Sequence, residues 1–176
     1  SWIAKTLKPE SLVAIDYSSE AVRLCRAWYH DQENLRFLEG NAENLPTEGD
    51  SFDVVYNVES SHCYANMEKF LSQVFRVLRS GGDFCWTDLR ETKAIHEVEN
   101  LFSNVGFLIK SSSDVTENVL DALKLIEEGR RDIIRQSAPQ SLRKSFETFG
   151  GVPGTPIYEA MKVGRVRYLR YHMVKP

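Results

Sequence analysis

Two short stretches of this sequence could do chemistry. In SLVAIDYSSEAV (11–22) an apolar run from Leu12 to Ile15 ends on the carboxylate of Asp16 and passes Tyr17 into a helix start at Ser18 or Ser19. An acid at the end of a buried strand, just ahead of a helix, is the arrangement that meets a ribose in nucleotide-binding α/β sheets. The second stretch, VESSHCY (58–64), is the densest local group of polar side chains. His62 is its candidate general base, because an imidazole takes up a proton near neutral pH. Glu59 and Tyr64 are alternatives, and they also have plainer readings as a solvated acid and a packing aromatic. His30, His62, His96 and His172 stand apart in sequence, and Cys25, Cys63 and Cys85 lack a CxxC pair, so no metal-ligand spacing is present. The odd cysteine count reads as free thiols in a reducing, cytoplasmic compartment.

These side chains need elements to hold them. Short apolar runs alternate with segments of helical period, which predicts a parallel sheet flanked by helices. Trp2, Ile3 and Leu7 read as the last turns of an amphipathic helix. A helix is predicted from Ser19 to about Tyr29, a strand at LRFLEG (35–40) and a loop at NAENLP (41–46). In FDVVYNV (52–58) the alternation breaks down, which predicts a strand buried on both faces. Met67 to Leu78 is a predicted helix with Phe70, Leu71, Val74 and Phe75 at helical spacing, ended by a left-handed cap at Gly81 or Gly82. FCWTD (84–88) reads as a strand, Lys93 to Val105 as a helix stopped by Gly106, and FLIKSSSDVT (107–116) as a strand. Val119 to Gln136 reads as one helix striped by Leu120, Leu123, Ile126 and Ile133. FGGVPGTPIY (149–158) is expected to be a loop, and GRVRYLRYHMV (164–174) the final strand.

Composition narrows the function classes. At 176 residues, with 42% hydrophobic and 27% charged, the chain suits one domain. A net charge of -3 provides no basic field for a phosphate backbone, so nucleic acid is not an expected partner. No apolar run approaches the roughly 18 to 20 residues that span a bilayer, so stable membrane insertion is not expected either.

Five segments, in order, carry a resemblance: LVAIDYS, GNAENLP, SFDVVYNVESSHCY, VLRSGGDFCWTDL and VGFL. Together they resemble the class I S-adenosylmethionine-dependent methyltransferases of small molecules, and most of all the branch of the phthiotriolone methyltransferases and related lipid and polyketide enzymes. The resemblance covers nearly the whole chain. It implies a Rossmann-like three-layer α/β sandwich, a mostly parallel sheet with an antiparallel last strand, over a single domain at 1–176. It also implies S-adenosyl-L-methionine as cofactor and a small-molecule acceptor, lipid or polyketide-like.

On that resemblance Asp16 accepts both ribose hydroxyls with Tyr17 beside it. Asn41, Ala42 and Glu43 match the segment at the adenine edge, the Asn41 side-chain carbonyl facing the amino group and the Ala42 N–H a ring nitrogen. Family members often carry Asp where Asn41 stands. Asn57 faces the methionine portion through its backbone carbonyl. Glu59, Ser60 and Tyr64 fall on the acceptor side, with His62 as base. The reaction implied is direct displacement without a metal.

One departure stands out. The family opens with a strand and a loop of the form acidic-x-G-x-G-x-G, and neither is found here, so the fold is expected to be N-terminally truncated and to lack its first central strand. That strand would lie between those ending at Asp16 and Asn57. Each buried, unpaired backbone group costs on the order of 1 to 3 kcal/mol, so the two inner strands are expected to pair directly, or the chain to fold poorly. Two other functions fit parts of the pattern: a non-catalytic binding module on a truncated methyltransferase fold, and a nicotinamide-dependent Rossmann oxidoreductase. GNAENLP speaks against the latter.

Overall fold

The computed structural model describes residues 2–176. A short helix, Trp2–Leu7 (α1), leads into strand Leu12–Asp16 (β1). Ser18 then caps helix Ser19–Trp28 (α2), its hydroxyl accepting the Ala21 N–H at 3.2 Å. Strand Leu35–Glu39 (β2) pairs in parallel with β1, Leu12 facing Leu35 and Asp16 facing Glu39.

A second, four-stranded sheet begins with Phe52–Val58 (β3). Asn66 caps helix Met67–Val77 (α3), which leads into the long strand Leu78–Glu91 (β4), parallel to β3. Helix Ile95–Val105 (α4) ends at Gly106, whose φ of 110° no side-chain-bearing residue adopts readily. Strand Leu108–Asp114 (β5) follows, then helices Thr116–Leu125 (α5), Glu127–Ser137 (α6), Arg143–Phe149 (α7) and Pro156–Lys162 (α8), and last strand Val166–Val174 (β6). β6 runs antiparallel to both of its neighbours, giving the order β3-β4-β6-β5. The mixed α/β architecture, with its antiparallel last strand, is the one expected.

The core lies between this sheet and one helical layer. Phe84, Trp86, Leu169, Tyr171 and Met173 project from β4 and β6 against Phe70, Leu71 and Val74 of α3 and Val98 and Phe102 of α4. Trp86 meets Phe102 edge to face at 5.5 Å between ring centroids. A smaller cluster packs α5 and α8, through Leu120, Tyr158 and Met161, onto Val166 and Tyr168 of β6.

Several expectations are corrected. β1 and β3 do not pair with each other: β1 bonds only β2, β3 bonds only β4, and among the described residues no strand lies between them. Nor is β3 buried on both faces, since Val54, Tyr56 and Val58 are exposed at 37%, 43% and 62%. Its apolar composition suits cover that the described residues do not supply. Gly81 and Gly82 do not cap a helix. α3 passes straight into β4 at Leu78, and the glycines serve a bulge where Gly81, at φ 80°, donates its N–H to Lys175.

The predicted helix over 119–136 is two helices broken at Ile126. Leu120 is buried with Tyr158, whereas Ile134 is buried with Ala138 and Val152, and the break lets each face its own cluster. The expected loop over 149–158 shrinks, because Pro156 opens α8 from the first helical turn, where its missing N–H costs nothing.

Gly106 gives a direct test. A Cβ there would also sit 3.2 Å from the Phe75 ring. Gly106→Ala is expected to destabilise the chain by about 1–3 kcal/mol, read as a lower urea midpoint at unchanged slope.

Candidate active site

Hydrogen bonds tie the loops that follow β1 and β2 to the start of α3, and a separate group of them closes the loop that follows β3. Gly40, after β2, donates its N–H to the Asp16 carbonyl at 3.0 Å. The Asp16 side chain itself turns the chain, Oδ1 accepting the Ser18 N–H at 2.8 Å, while Tyr17 stands 80% exposed beside it. Asn41 Oδ1 accepts the Glu43 N–H at 2.8 Å, so the carbonyl expected to face a ligand already closes a turn. Glu43 in turn accepts the Asn66 N–H at 3.0 Å through Oε1, which anchors the loop to the start of α3, and Ala42 packs against the main core.

The separate group lies at the end of β3. Asn57 is buried, and its amide donates to Ser60 Oγ at 2.9 Å and to Tyr64 Oη at 3.1 Å. Its Oδ1 is buried with no partner. A buried acceptor left unpaired is costly, and at a strand end it marks a place where a donor belongs. The Asn57 side chain thus carries an acceptor that no donor among the described residues fills. Glu59 follows at φ 51°, a left-handed conformation that is rare outside glycine, fixed by its N–H bond to Thr87 at 2.8 Å. Burial, with the Glu59 carboxylate beside it, pushes the Tyr168 phenol well above its usual range.

Asp88 is the residue that sequence reading missed. On β4 it follows Phe84 and Trp86 at period two, so its side chain points to the core face and is completely buried. Ser61 Oγ donates to Asp88 Oδ2 at 2.6 Å, and the His62 N–H donates to the same oxygen at 2.9 Å. His62 Nδ1 lies 2.7 Å from Oδ1, which also takes the Leu89 N–H at 2.8 Å. Arg90 Nη1 is 3.2 Å from Oδ2, and the guanidinium lies 5.0 Å over the Trp86 ring. Burial works against this carboxylate, yet the bonds from Ser61 and His62, the Arg90 charge and the Leu89 N–H hold its pKa below the usual value. In FCWTD the period-two spacing was the available signal: an acid in phase with two core aromatics has to be paired.

His62, with 31% of its side chain exposed, borders a cavity of about 480 Å³. Met67, Leu89, Val98, Leu101 and Ile157 give that cavity apolar walls. A larger depression of about 650 Å³ between Glu43 and α3 has polar walls and is open to solvent. Among the large aromatics, Trp86 and Tyr158 are core, and Trp28, Phe146 and Phe149 are exposed. The described residues hold no cluster of three or more metal-ligating side chains.

The geometry gathers the predicted residues along the loops that follow successive strands, where ligands of α/β sheets bind. A profile of the methyltransferase domain matches residues 1–86. The phthiotriol/phenolphthiotriol dimycocerosates methyltransferase of Mycobacterium leprae is 34% identical over 99% of this chain. Both findings support a class I S-adenosylmethionine-dependent methyltransferase. A second methyltransferase relative, the fatty-acid O-methyltransferase of Mycolicibacterium smegmatis, is 32% identical over the whole chain. The chain spans 64% and 63% of the lengths of these two relatives. The methyltransferase fold is shared with a putative sarcosine dimethylglycine methyltransferase of Galdieria sulphuraria, at TM-score 0.84 and 10% identity over 99% of this chain and 72% of that one. It is shared also with phosphoethanolamine N-methyltransferase 2 of Haemonchus contortus, at TM-score 0.82 and 14% identity over 99% of this chain and 46% of that one.

Removing the charge of Asp88 would leave Arg90 buried without its counter-ion. Asp88→Asn is expected to cost about 3 kcal/mol at pH 7, at the low end for breaking a buried pair because the shape is kept. Since the folded pKa is lowered, the stability Asp88 contributes is present above its unfolded pKa near 3.9 and is lost as pH falls through the folded value. The melting temperatures of the two proteins should therefore converge below about pH 4, a trend that calorimetry across pH would read.

Proposed function

We propose that this chain carries most of the active site of an S-adenosylmethionine-dependent methyltransferase acting on an apolar small molecule. The observation that carries the reading is the orphaned Oδ1 of Asn57, buried at the end of β3 and facing no donor of the chain itself. S-adenosylmethionine has an amino group suited to that acceptor, and it supplies, when bound, an activated methyl group on a sulfonium sulfur. Asp16 retains acceptor capacity beyond its bond to Ser18, enough for ribose hydroxyls. Tyr17, Asn41, Ala42 and Glu43 border the same run of loops, with the Ala42 N–H rather than the engaged Asn41 carbonyl as the group offered to a purine edge.

Glu59, Ser60 and Tyr64 form the wall between cofactor and acceptor, and the apolar cavity beside His62 receives the acceptor. There His62 acts as the base. The lipid-modifying activities named for the mycobacterial relatives agree with an apolar acceptor. The cofactor half of this site straddles the opening between β1 and β3, and we propose that a parallel strand with a glycine-rich loop completes it there.

Titration calorimetry with S-adenosylhomocysteine tests this. A chain extended by such a strand and loop is expected to bind at least 10-fold more tightly than these 176 residues, and Asn57→Leu to lose about 10-fold in that longer chain, near the worth of one hydrogen bond to a charged group. Absence of binding to both chains would remove the cofactor assignment.

A further inference from the structure

Helices α6 and α7 leave one side of their pair to solvent. They run antiparallel: Arg130, early in α6, donates to the carbonyl of Gly150 just past α7, and Arg143, at the start of α7, donates to the Arg135 carbonyl at 2.7 Å. Their facing sides are held by Arg131, which pairs with Glu127 at 3.0 Å and with Glu147 at 3.2 Å, and by a small core of Ile134, Ala138 and Val152. At about 3.6 residues per turn, Ile126, Arg130 and Ile133 fall on one side of α6, roughly 100° from the held side, and Leu142, Phe146 and Phe149 fall on the corresponding side of α7. In an antiparallel pair those two stripes point the same way. Neither is covered: Ile133 is 65% exposed and Phe149 91%, with Leu125 at 87% where α5 meets α6. Single apolar residues at a surface are ordinary, but a group of them on one side of one helix pair marks a surface that a partner covers.

Charge and shape select that partner. Residues 124–149 hold six Lys and Arg and four Asp and Glu, and the helical spacing turns all four acids away from the stripes. Glu127 and Glu147 are taken up by Arg131 and Asp132 by Arg135, and Glu128 lies on the reverse of α6. Arg130 is the one charge within the stripes, and it is bonded to a carbonyl rather than an acid, so its charge is uncompensated. A second copy docking here would bring a second Arg130 and no acid to meet either of them. A protein groove would have to enclose Phe149 and Leu125, which project, whereas the acyl boundary of a bilayer closes round projecting side chains and offers phosphates to a guanidinium beside them. With 11 and 7 residues, α6 and α7 are sized to lie in such an interface rather than across it. The surface also reaches the apolar cavity. A Cβ on Gly151, two residues past Phe149, would lie 3.5 Å from Leu123 and 4.0 Å from Ile157, and Ile157 is part of the cavity wall beside His62.

We propose that this side of α6 and α7 docks on an anionic phospholipid bilayer, with Leu125, Ile133, Phe146 and Phe149 entering the interface and Arg130 meeting the lipid phosphates. The inference is one of surface chemistry and stands apart from the methyl-transfer reading.

Co-sedimentation with lipid vesicles tests it. Vesicles of phosphatidylcholine with about 30% phosphatidylglycerol are expected to carry this chain down, vesicles of phosphatidylcholine alone to carry less, and salt raised to about 0.5 M to release part of the bound protein. Phe146→Ser with Phe149→Ser is expected to weaken binding about 10-fold or more. Phe149→Ser alone, at a position that is 91% exposed, gives the same direction should the double variant melt early. Trp28→Ser removes an aromatic that is 69% exposed elsewhere in the chain, and is expected to change nothing.

Absence of binding to the anionic vesicles overturns the proposal, as does binding that the phenylalanine variants leave unaltered or that Trp28→Ser weakens as much. A wild-type dimer in light scattering that Phe149→Ser returns to monomer means that a second copy covers the face, and overturns it too. So does binding by this chain that is lost in a chain extended to the length of the mycobacterial relatives, because further polypeptide then covers the face. S-adenosylhomocysteine plays no part in these measurements, so their failure and that of the cofactor reading are told apart.

Discussion

The buried carboxylate of Asp88 is the constraint on which the side of the molecule around the apolar cavity is built. It is the one acidic or basic residue in the fully buried set among the described residues, and a charge removed from water is tolerable only when its lone pairs are filled. The chain fills them from two directions. The turn at Ser61–Cys63 supplies a hydroxyl, a peptide N–H and an imidazole, and β4 itself supplies the Leu89 N–H and the Arg90 charge. The loop after β3 therefore has little freedom: moving it would strand Asp88 and unbury Trp86, whose indole N–H ends on the same serine.

That constraint explains why rigidity and exposure sit so close together here. β4 is paired on both sides, to β3 and β6, and its core face is filled by Phe84 and Trp86 against α3 and α4. Two residues further along the strand the same face turns from hydrocarbon to a polar network, and one ring of that network reaches the cavity. Groups positioned by a packed strand hold their geometry better than groups on a free loop, which is what proton transfer requires. The positive φ of Glu59 belongs to the same economy of space, because the chain must leave β3 and fold back over β4 within four residues of His62.

Much of the fold was legible because it depends on local pattern. β1 and β2, the capped start of α2, α3, and the stop of α4 at Gly106 all follow from period, caps and a left-handed glycine. What was illegible depended on partners remote in sequence. Gly81 and Gly82 look like a helix stop until Lys175 arrives to pair with them, and Ile126 looks like part of one stripe until Leu120 and Ile134 find separate clusters. At the candidate site, Asp16 and His62 stood out by chain position and chemistry, whereas Asp88 resembled any strand acid. Its role is set by Ser61 and His62, which lie 27 and 26 residues away. Asn41 errs in the other direction, since its best hydrogen bond is made locally, within its own turn.

The two halves of the site differ in what they depend on. The acceptor half is internal to the sheet β3-β4-β6-β5, so its geometry follows from contacts the chain makes with itself. The proposed cofactor half divides Asp16 on β1 from Asn57 on β3, strands that share no ladder, and loop bonds join them, through Gly40, Glu43 and Asn66 and from Leu45 and Thr47 to Gln73 and Arg76 of α3. Loop bonds tolerate displacement that a ladder does not, so the distance between Asp16 and Asn57 is the softer dimension of the proposed site. The His62 ring and the apolar cavity beside it are set in place beforehand, and a strand entering between β1 and β3 would set the remaining distance, satisfying both exposed edges as it did so.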